Sequence, residues 1–198
     1  MTTLLSVNTA PVGRLHIQGR SVASAIGKQP RTGRVAVHAL GLAHDEQADP
    51  QWHGGLRKAV YAYPHAHYAW WQAQRHAHAV DLFDQPLPPG FMGENLTLDG
   101  LLEADVYVGD TLHFPDCSLR VTEPRQPCFK FVHIMGYAQA ARDMVSQGCC
   151  GWYLEVVRPG SIEAGASATL VPGPRQPPLT PLLRRRRPAG RTPPPPPP

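Results

Sequence analysis

The chain has 198 residues, 42% of them hydrophobic, and a formal charge of +4. That length suits one domain with a sizeable core, or a domain with an appendage, and no stretch approaches the roughly 20 apolar residues that span a bilayer. The charge belongs to the C-terminus: residues 172–198 hold six of the 19 Lys and Arg and none of the 15 Asp and Glu, which leaves the rest at 13 against 15, or −2, with no electrostatic footprint for nucleic acid.

In chain order, "TLLSVN" (3–8) is a short apolar run that suits an N-terminal strand. The opening "MTTLLSVNTAPVGR" has no basic n-region and too short an apolar run for a signal peptide, so a cytoplasmic location and no membrane partner are expected. "RVAVHAL" (34–40) alternates β-branched residues and reads as a strand. Residues 41–55 are polar, contain a proline and end in two glycines, which predicts a long loop. "KAVYAYP" (58–64) alternates again, and Pro64 is placed to open a helix whose residues Tyr68, Trp71 and Arg75 share one side.

Strands are predicted over 94–98, 108–114, 118–123, 151–157 and 167–171, and a helix over 137–148 that ends at Gly148. Many short strands, turn signals between them and few helices give a mainly β (α+β) fold built on a barrel or barrel-like sheet. Residues 172–198 differ in kind, with twelve of the 23 prolines, "RRRR" and a final run of prolines. Such a segment cannot pack a core, so a globular domain over 1–171 and a disordered or polyproline-like tail over 172–198 are expected.

The four cysteines, Cys117, Cys128, Cys149 and Cys150, form no C-x-x-C pair, and without a secretory signal they read as thiols. Cys128 stands out through its flanks, "VTEPRQPCFKF" (121–131). Pro127 restricts Gln126 to extended backbone, and the residues after Cys128 can start a short helix, whose N-terminus favours a thiolate. Arg125 and Lys130 add positive charge. A thiolate is a nucleophile, a redox group or a soft metal ligand; the competing reading is a buried structural cysteine.

Three further segments carry candidate chemistry. In "HGGLRKAVYAYP" (53–64), the N–H groups of Gly54 and Gly55 and the charges of Arg57 and Lys58 would suit a phosphate, although a plain glycine turn fits too. In "GENLTL" (93–98), Asn95 can donate to and accept from a polar heterocycle, or pin its own turn. In "HDEQAD" (44–49), Asp45, Glu46 and Asp49, with His44 and His53, offer a hard-metal or acid–base cluster, but match no ligand spacing and read better as a solvated acidic loop. His53 fits equally well as a buried structural histidine.

The ordered run "GLAHDEQAD…HGGLRKAVYAYPHAHY…MGENLTLDGL…VYVGD…VTEPRQPCFKF" resembles the MOSC domain, the C-terminal domain type of molybdenum cofactor sulfurases, over about residues 3–171. Within it the chain is most similar to stand-alone bacterial members that reduce N-hydroxylated compounds. The resemblance implies a β-barrel similar to that of pyruvate kinase, with flanking helices, and a molybdenum cofactor. Cys128 matches the family's motif cysteine, which implies a thiolate ligand to molybdenum. By position, His53, Gly54, Gly55, Lys58, Asn95, Arg125 and Lys130 would line the cofactor. Relatives carry Gly where His44 stands, so a positive φ there would strain His44. They also continue into a small three-helix domain where this chain has its tail.

The resemblance implies a reductase of small N-hydroxylated substrates such as hydroxylaminopurines. With no iron–sulfur spacing and no Rossmann glycine motif, its electrons would come from a separate donor protein. The alternative is a non-catalytic carrier of cofactor or persulfide sulfur, with Cys128 as the carrying thiol; a third reading is a proline-tail adaptor on a degenerate domain. Pyridoxal phosphate, linked to the sulfurase parents, is not expected, because Lys28, Lys58 and Lys130 show no Schiff-base context. The sequence leaves the oligomeric state open.

Overall fold

A computed structural model describes residues 1–80, 85–174 and 179. Its centre is a closed barrel of seven strands: β1 (Thr2–Thr9), β7 (Val60–Pro64), β8 (Leu96–Asp99), β9 (Thr111–His113), β10 (Ser118–Pro124), β11 (Trp152–Arg158) and β13 (Ser167–Val171). Around the barrel the order is β13-β9-β10-β11-β7-β8-β1, and Thr2 pairs with Ala168 to close the ring. The pairs are antiparallel except β7 with β8. A parallel pair needs a long crossover, and the segment between these strands carries helix α2 (Tyr68–Ala77). Smaller pairings decorate the barrel: β2 (Gly13–Ile17) with β3 (Arg20–Ser24), β4 (Gln29–Pro30) on β1, and β5 (Val35–His38) between β6 (Gly41–Leu42) and β12 (Gly160–Ile162).

The strand period of two sorts the side chains into two cores. On β7, Val60 and Ala62 point into the barrel, which is filled by Leu4, Leu96, Leu98, Leu112, Leu119, Trp152 and Leu154. Tyr61 and Tyr63 point the other way, as does Tyr153 of β11. They meet α2, α3 (Phe129–Met135) and α4 (Ala140–Gln147) through Trp71, Phe131, Met135 and Met144. The face of α2 predicted from Tyr68, Trp71 and Arg75 is the buried one, and Gly148 ends α4 in the left-handed conformation as expected.

Several local expectations change. Pro64 does not open a helix: with ψ 124 it stays extended and closes β7, where it pairs with Leu98. A 3₁₀ turn over His65–His67 intervenes before α2. The loop predicted over 41–55 contains β6 and the short helix α1 (Pro50–His53). The β2–β3 hairpin carried no sequence expectation; its Gln18–Gly19 turn has φ 49 and 76, the two positive values that suit the twist of paired strands. Leu179 is buried in the barrel core beyond the boundary expected at 171, and the remainder of the expected tail past Pro174 lies outside the described residues. Among the described residues no helix is long and apolar enough to cross a membrane.

His44 has φ 65, in the left-handed region. A side chain with a Cβ is strained there. His44→Gly is expected to stabilise the protein by roughly 0.5–1 kcal/mol, net of the entropy that glycine adds to the unfolded chain; a urea midpoint that stays put or falls would contradict this.

Candidate functional site

The site forms where β10 leaves the barrel. The Arg125 N–H still donates to Gly151 O at 3.2 Å, so its side chain is committed to the layer between barrel and helices. Gln126 and Pro127 then carry the chain to Cys128, the N-cap of α3, whose carbonyl accepts from the Val132 N–H at 3.1 Å. The thiol is half-buried at an open cleft. Lys28, Asp45, His53, Lys58, Tyr61, Asn95, Arg125, Lys130 and Tyr153 also line it.

Burial works against ionising Cys128. A hydrogen bond from His53, the charges of Arg125 and His53, and the Phe131 N–H outweigh it and draw the thiol down to about 6. The other three cysteines move the opposite way: burial pushes Cys117 up to about 11, Cys149 up to about 12, and Cys150 well above its usual range. The surroundings of the four thiols thus differ in the direction that the flanks of Cys128 suggest.

Arg125 is 4% exposed. Its guanidinium lies over the rings of Tyr61 (5.0 Å) and Phe131 (5.2 Å), and Nη1 reaches Met144 Sδ at 3.7 Å. Burial opposes its charge, and the electron-rich groups of Tyr61, Tyr153 and Cys128 more than offset that. His53, the last residue of α1, lies with Nδ1 3.1 Å from the Tyr153 hydroxyl. Burial pushes that phenol up to about 12, so it keeps its proton at neutral pH. Lys58 Nζ lies 5.6 Å over the Tyr153 ring and 4.0 Å from Glu123 Oε1. Lys130 Nζ donates to Ala23 O at 2.7 Å, at the root of the β2–β3 hairpin.

Other predicted residues serve the frame of the cleft. Asn95 is buried with its amide engaged: Oδ1 accepts from the Tyr61 N–H (3.0 Å), and Nδ2 donates to Asn8 O (3.1 Å) and Asp45 Oδ2 (2.8 Å). Its amide thus ties three distant segments together, and neither pins its own turn nor stands open to a heterocycle. Gly54 and Gly55 stand behind the cleft. The Gly55 N–H donates to Gln47 Oε1 at 2.8 Å, so it is not open to an anion, and a Cβ on Gly54 would meet the same oxygen at 2.3 Å.

The reading of a solvated acidic loop is corrected at Asp45, while Glu46 stays exposed. The Asp45 side chain is 7% exposed; it accepts from Lys28 Nζ (2.5 Å), the Ala10 N–H (2.9 Å) and Asn95. Glu46 Oε2 accepts from the Val12 N–H at 2.6 Å. These carboxylates staple the loop to the N-terminal strand, and among the described residues no three His, Cys, Asp or Glu converge on a metal position.

Sequence reasoning passed over Tyr61, Tyr153 and Lys28. The alternation of "VYAYP" and "GWYLEVV" was the available signal: with one set of alternate positions in the barrel, the tyrosines had to face something else.

The family model described as MOSC domain matches residues 49–169. The chain is 36% identical over 159 residues to Protein YiiM of Escherichia coli, covering 80% of this chain and 69% of that one. It is 34% identical over 157 residues to a protein of Gibberella moniliformis named Reductase, covering 79% of this chain but only 27% of that longer polypeptide. The crystal structure of YiiM from Geobacillus stearothermophilus superposes with a TM-score of 0.66 at 30% identity, covering 87% of this chain and 76% of that one.

Iodoacetamide should alkylate Cys128 of the folded protein selectively, with a rate that rises as pH passes about 6. His53→Ala, which removes a group favouring the thiolate, should move that midpoint up toward the ordinary thiol value of about 8.5. Rate profiles against pH check both, and a wild-type midpoint already at the ordinary value contradicts the arrangement.

Proposed function

The chain belongs to the MOSC domain family, and on that premise we propose that it is a reductase of N-hydroxylated compounds that works with a molybdenum cofactor, Cys128 being the protein's ligand to the metal. The observation that carries this reading is the contrast among the thiols: Cys128 alone is drawn toward thiolate, and it alone faces the cleft. A soft thiolate suits molybdenum held mainly by sulfur.

The residues present fit such a group. The cleft offers one soft donor together with Lys58, Arg125 and Lys130, cations matched to an anionic pterin phosphate. Lys28 is neutralised by Asp45 and contributes shape more than charge. The bound cofactor would supply the two-electron, oxygen-accepting chemistry that turns N–OH, two electrons and two protons into N–H and water.

The chain's own groups do the rest. Arg125 and His53 hold the thiolate, and Pro127 and the start of α3 fix its direction. The cleft wall built on Asn95 and Asp45 keeps the loop of residues 44–49 in place against it. Electrons would come from a separate donor protein, since the chain carries no redox-cofactor motif of its own. The fungal relative named Reductase supports the reaction class, its similar segment being a minor part of a longer chain.

Protein produced in a host that makes molybdenum cofactor should carry molybdenum by elemental analysis. Cys128→Ser should keep its fold but lose reduction of an N-hydroxylated purine by more than roughly 100-fold with a chemical reductant. Full metal loading and full turnover in that variant would end the ligand assignment. A wild type that never holds molybdenum but takes up persulfide sulfur at Cys128 would establish the carrier reading instead.

A further inference from the structure

Glu94 is a buried acid that the proposed chemistry does not use. It lies just before β8, and solvent does not reach it. Its Oε1 accepts from three directions: the Tyr68 hydroxyl of α2, the Gly90 N–H at 2.8 Å and the Thr97 hydroxyl of β8 at 2.7 Å. Its Oε2, equally buried, accepts from no group among the described residues. The groups around it bring no positive charge. Asn8 of β1 donates to Thr97 Oγ1 at 3.0 Å, one step behind. Tyr61 of β7 interacts with Glu94 electrostatically, and burial holds that phenol well above its usual range. The neighbouring cations are engaged elsewhere: Arg75 of α2 donates to Ile134 O and Met135 O, Lys28 pairs with Asp45, and Arg125 lies over the Tyr61 ring. Among the described residues no cation forms an ion pair with Glu94.

We propose that Glu94 folds as a neutral carboxylic acid and serves as a pH-responsive clasp between α2 and the cleft wall, which ionisation loosens. A carboxylate shares its charge over two oxygens. Here three donors solvate one of them and none reaches the other, and a buried charge with no partner is relieved by taking up a proton. Burial raises the pKa of Glu94 against the pull of the three bonds. Ionisation would put charge on the bare Oε2 at the point where Tyr68 fastens α2 to β8. Asn95, the next residue, holds the Tyr61 N–H and Asp45, so movement of Glu94 reaches the cleft wall directly.

The ordinary glutamate pKa is about 4.3. Between that value and the raised folded value, the native state holds one more proton than the unfolded chain. The stability that Glu94 contributes is therefore whole below about pH 4.3 and is lost as pH rises toward the folded pKa.

The clasp takes nothing from the reductase reading, and its test needs no cofactor. Full-length protein labelled with ¹³C at the glutamate carboxyls offers six resonances to titrate. At about pH 6, above the ordinary range, one of them should still report a neutral acid. That signal should vanish in Glu94→Gln and persist in Glu103→Gln, the control at a buried carboxylate whose two oxygens both have partners. Glutamine keeps the acceptor that Tyr68, Gly90 and Thr97 use and cannot ionise. Any cost of its amide nitrogen is the same at every pH, so the readout is the ratio of unfolding constants, wild type to Glu94→Gln, from urea titrations. That ratio should rise at least roughly tenfold between about pH 4 and pH 8. A wild type with all its glutamates ionised at pH 6 overturns the proposal, even if Glu94→Gln fails to fold. A neutral signal that disappears in Glu103→Gln instead, or a ratio that stays flat with pH, overturns it as well.

Discussion

The site depends on one buried positive charge. A guanidinium taken out of water costs several kcal/mol unless something compensates it, and Arg125 is almost wholly enclosed. Among the described residues no carboxylate is paired with it. What surrounds it comes from four separate elements: the Tyr61 ring from β7, Phe131 from α3, Met144 from α4 and Tyr153 from β11. Aromatic faces and a thioether stabilise a cation without cancelling it. The group that can cancel it is the Cys128 thiol, three residues further along a path stiffened by Pro127. Cation and thiolate stabilise each other, so the packing of the helices on this side of the barrel is also the device that ionises the thiol.

That device needs a surface both rigid and buried on each face. The barrel provides it because β7 and β11 are covered on both sides, by the apolar barrel core within and by tyrosines without. The parallel pairing of β7 with β8 forces the crossover that brings α2 over this layer. The chain returns through Glu94 and Asn95. Glu94 is fully buried, and its Oε1 accepts from Tyr68, the Gly90 N–H (2.8 Å) and Thr97 (2.7 Å). Burial raises its pKa, and the bonds it accepts oppose that rise. Asn95, next in sequence, ties β7 to Asp45 and so to Lys28. Two adjacent polar residues thus join the helical layer to the cleft wall, and removing either would leave buried donors without acceptors.

Much of this was legible in the sequence where the physical signal is local. Alternation located β5, β7 and β10, a short apolar run located β1, turn signals helped place the other barrel strands, and the flanks of Cys128 singled it out because two prolines and two cations around one thiol serve no plain structural need. The family resemblance supplied the barrel closure and the expectation of a cofactor, neither of which any spacing in the chain encodes. The failures have a common cause, in that one residue type can serve two ends. Gly54, Gly55 and Asn95 had the chemistry of a ligand cradle and of a turn, and only the third dimension shows Gln47, Tyr61 and Asp45 claiming their polar groups. Pro64 had the φ of a helix start, but strand pairing with Leu98 decided its ψ. The acidic loop read as solvated because Lys28 and Asp45 are far apart in sequence and meet only on folding.

The donor set bears on what kind of metal centre the proposed reductase could have. A protein that holds a bare ion gathers three or more ligands on a frame, as structural zinc and calcium sites do. Among the described residues no such group exists, and the Asp45 and Glu46 carboxylates at the cleft are already bound to Lys28 and to backbone N–H groups. A metal seated here would have to arrive with most of its ligands, which is the property of a dithiolene cofactor. The chain would then add one sulfur and a set of cations for the carrier's negative charge. With a single bond under its control, the protein's influence on the metal would reduce to the direction and electron density of that sulfur. Arg125 and His53 govern the density, Pro127 and the first turn of α3 govern the direction, and both pairs are anchored in the same layer of tyrosines.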